Sequence, residues 1–129
     1  MFRSIHLVLA AAFGASMILM ASPSATLAQD ASVRSFLATA DRIPRNPTAL
    51  LHPGTRRLQR QVQTAVQTVA SEQEALRQSG RPRTICIPQR PDLTVDQLLA
   101  RFRAIPESRR NISVTQAMRE WLADRYPCR

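Results

Sequence analysis

Few residues in this chain are able to do chemistry. The only cysteines are Cys86 and Cys128, and the only histidines are His6 and His52. Past residue 28, two sulfurs and one imidazole without ligand-like spacing leave a structural metal short of ligands. A Ser-His-acid triad fares no better, because His52 stands beside Pro53 in a proline-rich stretch and no nucleophile motif accompanies it. The acid pairs Glu72/Glu74 and Asp92/Asp96 suggest the two carboxylates of a glycosidase. Residues two apart on a helix point to different faces, however, and the second pair flanks a helix start, where acids favour the dipole. Asn111-Ile112-Ser113 fits the glycosylation pattern, but its Ser is better explained as a helix cap. The expectation is therefore no enzyme, no catalytic residue, no metal and no cofactor.

The chemistry left to the cysteines depends on compartment. Met1 to Arg3 gives a short positive start, Ile5 to Met20 is apolar apart from His6, Gly14 and Ser16, and Ser22 to Ala28 is small and polar around Pro23. This is the pattern of a secretory signal peptide over residues 1–28, with Thr26 and Ala28 at the small-residue positions and Gln29 as the mature start. Such a leader sends the chain through the inner membrane to an oxidising compartment, the periplasm. There, Cys86 and Cys128 are expected to pair as one disulfide. After cleavage no stable membrane anchor is expected.

The elements that position these residues read as helices throughout. Val33, Phe36 and Leu37 recur at three and four residues in Ser32 to Thr39. Asp41 to Thr55, with Pro44, Pro47, Pro53 and Gly54, reads as a loop in which Thr48 to Leu51 forms at most one turn. Arg56 to Gln78 places Leu58, Val62, Ala65, Val66, Val69, Ala75 and Leu76 on an apolar face, with Arg60, Gln63, Thr64, Gln67, Glu74 and Arg77 on a solvated one. Gly80 and Pro82 end it. Thr94 with Gln97, and Ser113 with Gln116, have the capping-box spacing. The first opens a helix whose buried stripe is Val95, Leu98, Leu99 and Phe102. The second opens one carrying Val114, Ala117, Met118, Trp121, Leu122 and Tyr126. Trp121 falls on that stripe and reads as a core or groove-edge aromatic. The fold class is all-α, a small disulfide-closed helical bundle. Residues 29–55 supply a short helix and Pro-rich loop, and 56–129 the helical domain proper.

Composition adds a charge argument. The chain has 129 residues, a net charge of +9 and no Lys, so every side-chain cation beyond the two histidines is Arg. Removing Arg3 with the leader brings the mature chain to +8. A surplus of this size admits a polyanion partner, such as an envelope polymer or anionic surface. Nucleic acid is a poor match. Aromatics make up 5% of the chain, and Arg56-Arg57, Arg81-Pro82-Arg83 and Arg109-Arg110 lack flanking rings on which bases stack.

The stretch Cys86-Ile87-Pro88, then Leu93 to Leu99, Phe102 with Pro106, Ala117-Met118 and finally Tyr126-Pro127-Cys128 resembles the Tai family of type VI secretion amidase immunity proteins. Relatives typically show a Cys and Pro at the start, a Thr-led helix opening, a Pro at that helix's end, and an Ala-rich helix closing in an aromatic residue, Pro and Cys. The likeness spans Cys86 to Cys128, with Arg56 to Gln78 as a preceding helix. Relatives often carry a second Cys pair and a Tyr and Gly motif there, and this chain has neither. The resemblance implies an immunity-type protein whose partner is a peptidoglycan amidase or another envelope toxin. Candidate partner-binding residues are Arg81, Arg83, Glu107, Arg109 and Arg110, in loops that packing does not claim; a homo-oligomer is left open.

Overall fold

A computed structural model describes residues 30–129, and the signal-peptide reading over 1–28 lies outside the described residues. In chain order come α1 (Val33–Ala40), a 3-10 turn at Pro47–Leu51, α2 (Pro53–Gln78), α3 (Val95–Ala104), a second 3-10 turn at Glu107–Arg109, and α4 (Val114–Arg125). Among the described residues the only extended pairing is two isolated antiparallel bridges. The architecture is all-α, as the periodicity predicts. No helix of the described part is long and apolar enough to cross a membrane.

The long helix α2 begins earlier than its sequence suggests. Pro53 and Gly54 belong to its first turn, since proline's missing N–H is an orphan there in any case. His52 precedes them in extended conformation, and its Nδ1 accepts the Gly54 N–H at 3.0 Å. At the other end Gly80 has φ +74°, and the N–H groups of Gly80 and Arg81 donate back to the carbonyls of Arg77 and Leu76. That pair of bonds closes the helix and turns the chain into the 81–94 segment.

The buried face of α2 follows Leu58, Ala65, Val69 and Gln73. Ala75, expected on this stripe, is exposed, and Gln73, expected nowhere on it, is 8% exposed. The seven- and four-residue steps from Leu58 carry the stripe to 73, which Ala75 misses by nearly half a turn. Helix α4 lies along α2 and supplies Val114, Ala117, Met118, Trp121 and Leu122 to one core shared with Val33, Phe36 and Leu37 of α1 and Phe102 of α3. The short helix before the Pro-rich segment is therefore built into the same core as the later helices. Phe36 and Phe102 meet edge to face, ring centroids 5.2 Å apart.

Both ends of α4 are tied. At its start the Val33 N–H donates to Ile112 O at 3.0 Å and the Val114 N–H to Ala31 O at 2.8 Å. At its end the Cys86 N–H donates to Tyr126 O at 2.8 Å and the Cys128 N–H to Thr84 O at 3.3 Å. The expected disulfide is present at that second bridge, where Cys86 and Cys128 are joined with Cα atoms 5.0 Å apart. The Thr94 capping box is complete, with Gln97 N donating to Oγ1 and Thr94 N to Gln97 Oε1. At α4 only half of the device forms. Ser113 Oγ accepts the Gln116 N–H at 3.0 Å, but the Gln116 side chain turns along the helix to Glu120 and Arg119.

Candidate functional site

Two surfaces of the molecule are candidates. The first is the staple-side loop between α2 and α3. Its anchor is Gln73, whose Oε1 accepts from Thr84 N at 2.8 Å, Ile85 N at 3.0 Å and Thr84 Oγ1 at 3.3 Å. A single buried amide oxygen thus satisfies backbone donors that have no helix or sheet to serve them. Ile85 is buried beside it, its bridge to Pro127 brings the neighbouring Cys86 onto Tyr126 O, and the disulfide closes the turn. Beyond, Asp92 closes the loop onto the end of α4. Its carboxylate accepts from Tyr126 Oη at 2.5 Å and from Arg125 Nη2 at 2.7 Å, and its N–H donates to Tyr126 Oη. The tyrosine hydrogen bond and then the Arg125 guanidinium hold this carboxyl below its usual range. On this fixed frame Arg81 and Arg83 are exposed and, among the described residues, join no ion pair.

The other predicted contacts sit apart from these, between α3 and α4, and much of their chemistry is turned inward. Arg110 donates from Nε to Ile105 O and from Nη2 to Arg103 O, both at 2.9 Å, so its guanidinium caps the end of α3. Arg109 donates to Glu120 Oε1 at 3.0 Å. Glu107 keeps an exposed carboxylate, 3.6 Å from Arg110, while its carbonyl accepts from Arg34 Nη2 at 2.8 Å. The structure therefore brings Glu107, Arg109 and Arg110 together as a braced turn and leaves Arg81 and Arg83 outside any salt bridge among the described residues, with Glu74 within electrostatic reach of Arg83. The remaining acids are spread over separate pairs: Glu72 takes a two-pronged bond from Arg119 of α4, Nε to Oε2 at 2.9 Å and Nη2 to Oε1 at 2.6 Å, and Glu74 pairs with Arg77. Among the described residues no group of three His, Cys, Asp or Glu side chains is gathered for a metal ion.

The second surface is an open groove of about 870 Å³ between the C-terminal half of α1 with the 43–50 segment, the first turns of α2, and the start of α3. Its floor is Phe36, Met118 and Trp121, and its lips carry Leu50 and Val95. Leu50 is 73% exposed and Val95 70% exposed. The periodicity of α3 places Val95 on the buried stripe; it sits instead at the first helical position, where the helix leaves the core and its side chain reaches only the lip. The spacing Val95, Leu98, Leu99, Phe102 picks out the apolar residues but not which of them have a neighbouring helix to meet. Leu50, in a proline-bounded turn, carries no periodic signal at all.

Compared with family models, curated proteins and solved structures, the chain finds no match.

Proposed function

We propose that this is a periplasmic binding protein of the amidase-immunity type, without chemistry of its own, which neutralises a peptidoglycan amidase by stoichiometric occlusion. The observation that supports this best is the preorganised presentation of Arg81 and Arg83. Arginine is enriched among interface residues that dominate binding energy. A loop already fixed by Gln73, a backbone bridge and a disulfide has little ordering entropy to lose when it meets a cleft. The resemblance of Cys86 to Cys128 to the Tai family points to the class of partner. Glu107 is the contact of the second loop whose carboxylate stays exposed beside Arg110, whereas Arg109 and Arg110 act by bracing that loop.

The test is to express a peptidoglycan amidase effector of the type VI class in the periplasm, with and without this protein, and to follow lysis and amidase activity. Protection at equimolar inhibitor is the expected result. R81E/R83E should abolish protection while leaving the melting temperature in place, because neither side chain carries a structural ion pair. Absence of protection against that effector would overturn the proposal.

A second reading has its own support. Arg56, Arg57 and Arg60 at the start of α2 are exposed and, among the described residues, outside any ion pair, as Arg81, Arg83 and Arg90 are. Such a surface suits an envelope polyanion. Salt discriminates the two, since polyanion binding falls steeply with ionic strength and a packed protein interface weakens much less.

A further inference from the structure

We infer that the groove between α1, α2 and α3 is a binding site for a single-chain anionic amphiphile, a long-chain fatty carboxylate. A concave site of about 870 Å³ is within the range of small-ligand pockets, which are mostly apolar with a few polar groups at defined places, and which in bundles form between helices. Here Ile43, Leu58, Val62 and Leu99 line the groove, and the fold leaves Leu50 and Val95 facing water at its rim. Nothing in the helix or turn demands apolar side chains at those two positions. The first turn of a helix such as α3 is in fact where acidic residues are favoured. An occupant that covers both lips accounts for them.

The shape selects a chain over a helix. Phe36 and Met118 line the floor yet are 2% and 0% exposed, and Trp121 is 8% exposed, so only a slender group such as a polymethylene chain reaches them. A helix, about 10–12 Å across, would rest on the lips.

The charge at the mouth selects the head group. Arg45 lines it and, among the described residues, joins no ion pair. Arg103 lines it too, and its contact with Asp41 at 2.9 Å engages only Nη2. On α2, Gln59 and Gln63 line the mouth, and the exposed Arg56 and Arg60 occupy the adjoining stripe of the same helix at three- and four-residue steps. The one acid on the lining, Asp96, is in the first turn of α3, where the helix dipole offsets its charge. With Arg103 shared with Asp41, and Asp96 at the start of α3, Arg45 is the lining cation outside any ion pair among the described residues, and a guanidinium is the side chain best shaped to hold a carboxylate.

The only tryptophan of the chain, Trp121, reports on the floor. Purified oxidised protein is titrated with octanoate, laurate and palmitate below their micelle concentrations, with lauryl alcohol and lauryl trimethylammonium as head-group controls, and binding is read by Trp121 fluorescence and calorimetry. Saturable one-to-one binding is expected, tightening by up to about fourfold per added methylene until the groove is full. The alcohol and the ammonium compound should bind more weakly than laurate. Arg45→Glu should weaken laurate about tenfold without changing the alcohol. Leu50→Asp and Val95→Asp, both at exposed positions that leave the melting temperature unchanged, should weaken every chain. Binding that ignores chain length, equal binding of the cationic amphiphile, or indifference to both aspartate variants overturns the inference. So does an acidic amphipathic helical peptide that seats on the groove and is not displaced by palmitate, which would assign the surface to protein docking.

Discussion

Gln73 is the residue on which the 81–88 segment depends. It is the one polar side chain in the buried set among the described residues, and its Oε1 accepts from two backbone N–H groups and one hydroxyl. Replacing it by Leu keeps the volume but leaves the Thr84 and Ile85 N–H groups without acceptors. The Ile85 donor is buried and the Thr84 donor only partly so; at roughly 1–3 kcal/mol for a buried donor left unpaired, Gln73→Leu should cost about 1–3 kcal/mol in urea unfolding, whereas Gln67→Leu on the exposed face should cost little. Equal effects of the two would refute this role. The Glu72–Arg119 fork works at the same scale but through protons. The Arg119 hydrogen bond holds the Glu72 carboxyl below its usual 4.5. A carboxyl depressed in the folded state stabilises above its unfolded pKa and loses that contribution as pH falls through its folded one. Because the pair is partly exposed, the effect is about 0.5–1 kcal/mol. Glu72→Gln should therefore be less stable than wild type by that amount at pH near 6, with the gap closing as pH falls through the depressed folded-state pKa; a gap that stays constant on acidification would show that the charge is not what binds α4 to α2.

Among the elements, local chemistry decides the ends and tertiary contact decides the faces. Thr94 and Ser113 cap where their spacing says they should, because a cap is satisfied within one turn and needs no distant partner. The start of α2 is less legible. Pro53 and Gly54 look like breakers until His52 is seen to accept the Gly54 N–H, an unusual cap that the common Ser, Thr, Asp and Asn signals do not announce. Ala75 and Val95 depart from their expected places, and Gln73 fills a buried one, for a different reason. Which residue is buried depends on where the neighbouring helix runs, and that is a property of packing rather than of spacing. The groove is hidden in the sequence on the same ground, since Leu50 and Val95 are brought to one groove from sequence positions 45 residues apart. At the other end of α2, Gly80 offers a clean test of local chemistry. A Cβ there meets nothing within 4 Å, so only its φ of +74° opposes a side chain. Gly80→Ala should cost about 1 kcal/mol through backbone conformation alone, and Gly80→Asn less, by urea denaturation. No difference between Ala and Gly would mean that the turn relaxes out of the left-handed region.

Taken whole, the molecule is a set of helices hung on α4, which is held at both ends by chain that is distant in sequence. The start is held by backbone bonds to Ala31 and Val33, and the end by the Thr84–Cys86 stretch and the disulfide. The two restraints differ in kind. Backbone bonds stabilise the folded state only, while a cross-link between residues 42 apart also removes conformations from the unfolded chain, about 4 kcal/mol on the loop-entropy model. For a domain of this size that is a large share of the roughly 5–15 kcal/mol usual for native proteins. Cys86→Ser/Cys128→Ser should accordingly unfold at much lower urea, with a loss of about 3–4 kcal/mol. The loss should also be uneven in space. Without the staple, the end of α4 is held by the two backbone bonds at positions 86 and 128 and by exposed contacts, Asp92 with Tyr126 and Arg125, and Arg101 with Asp124, whereas the Val33 and Val114 amides keep all their partners. Hydrogen exchange of the variant under native conditions should therefore show the amides at positions 86 and 128 opening well before those of Val33 and Val114. If protection falls equally at both ends, the staple acts on global stability alone. If urea stability falls by less than about 1 kcal/mol, well short of the loop-entropy value, the hydrogen-bonded frame of Gln73 and Tyr126, and not the disulfide, is what fixes the loop that presents Arg81 and Arg83.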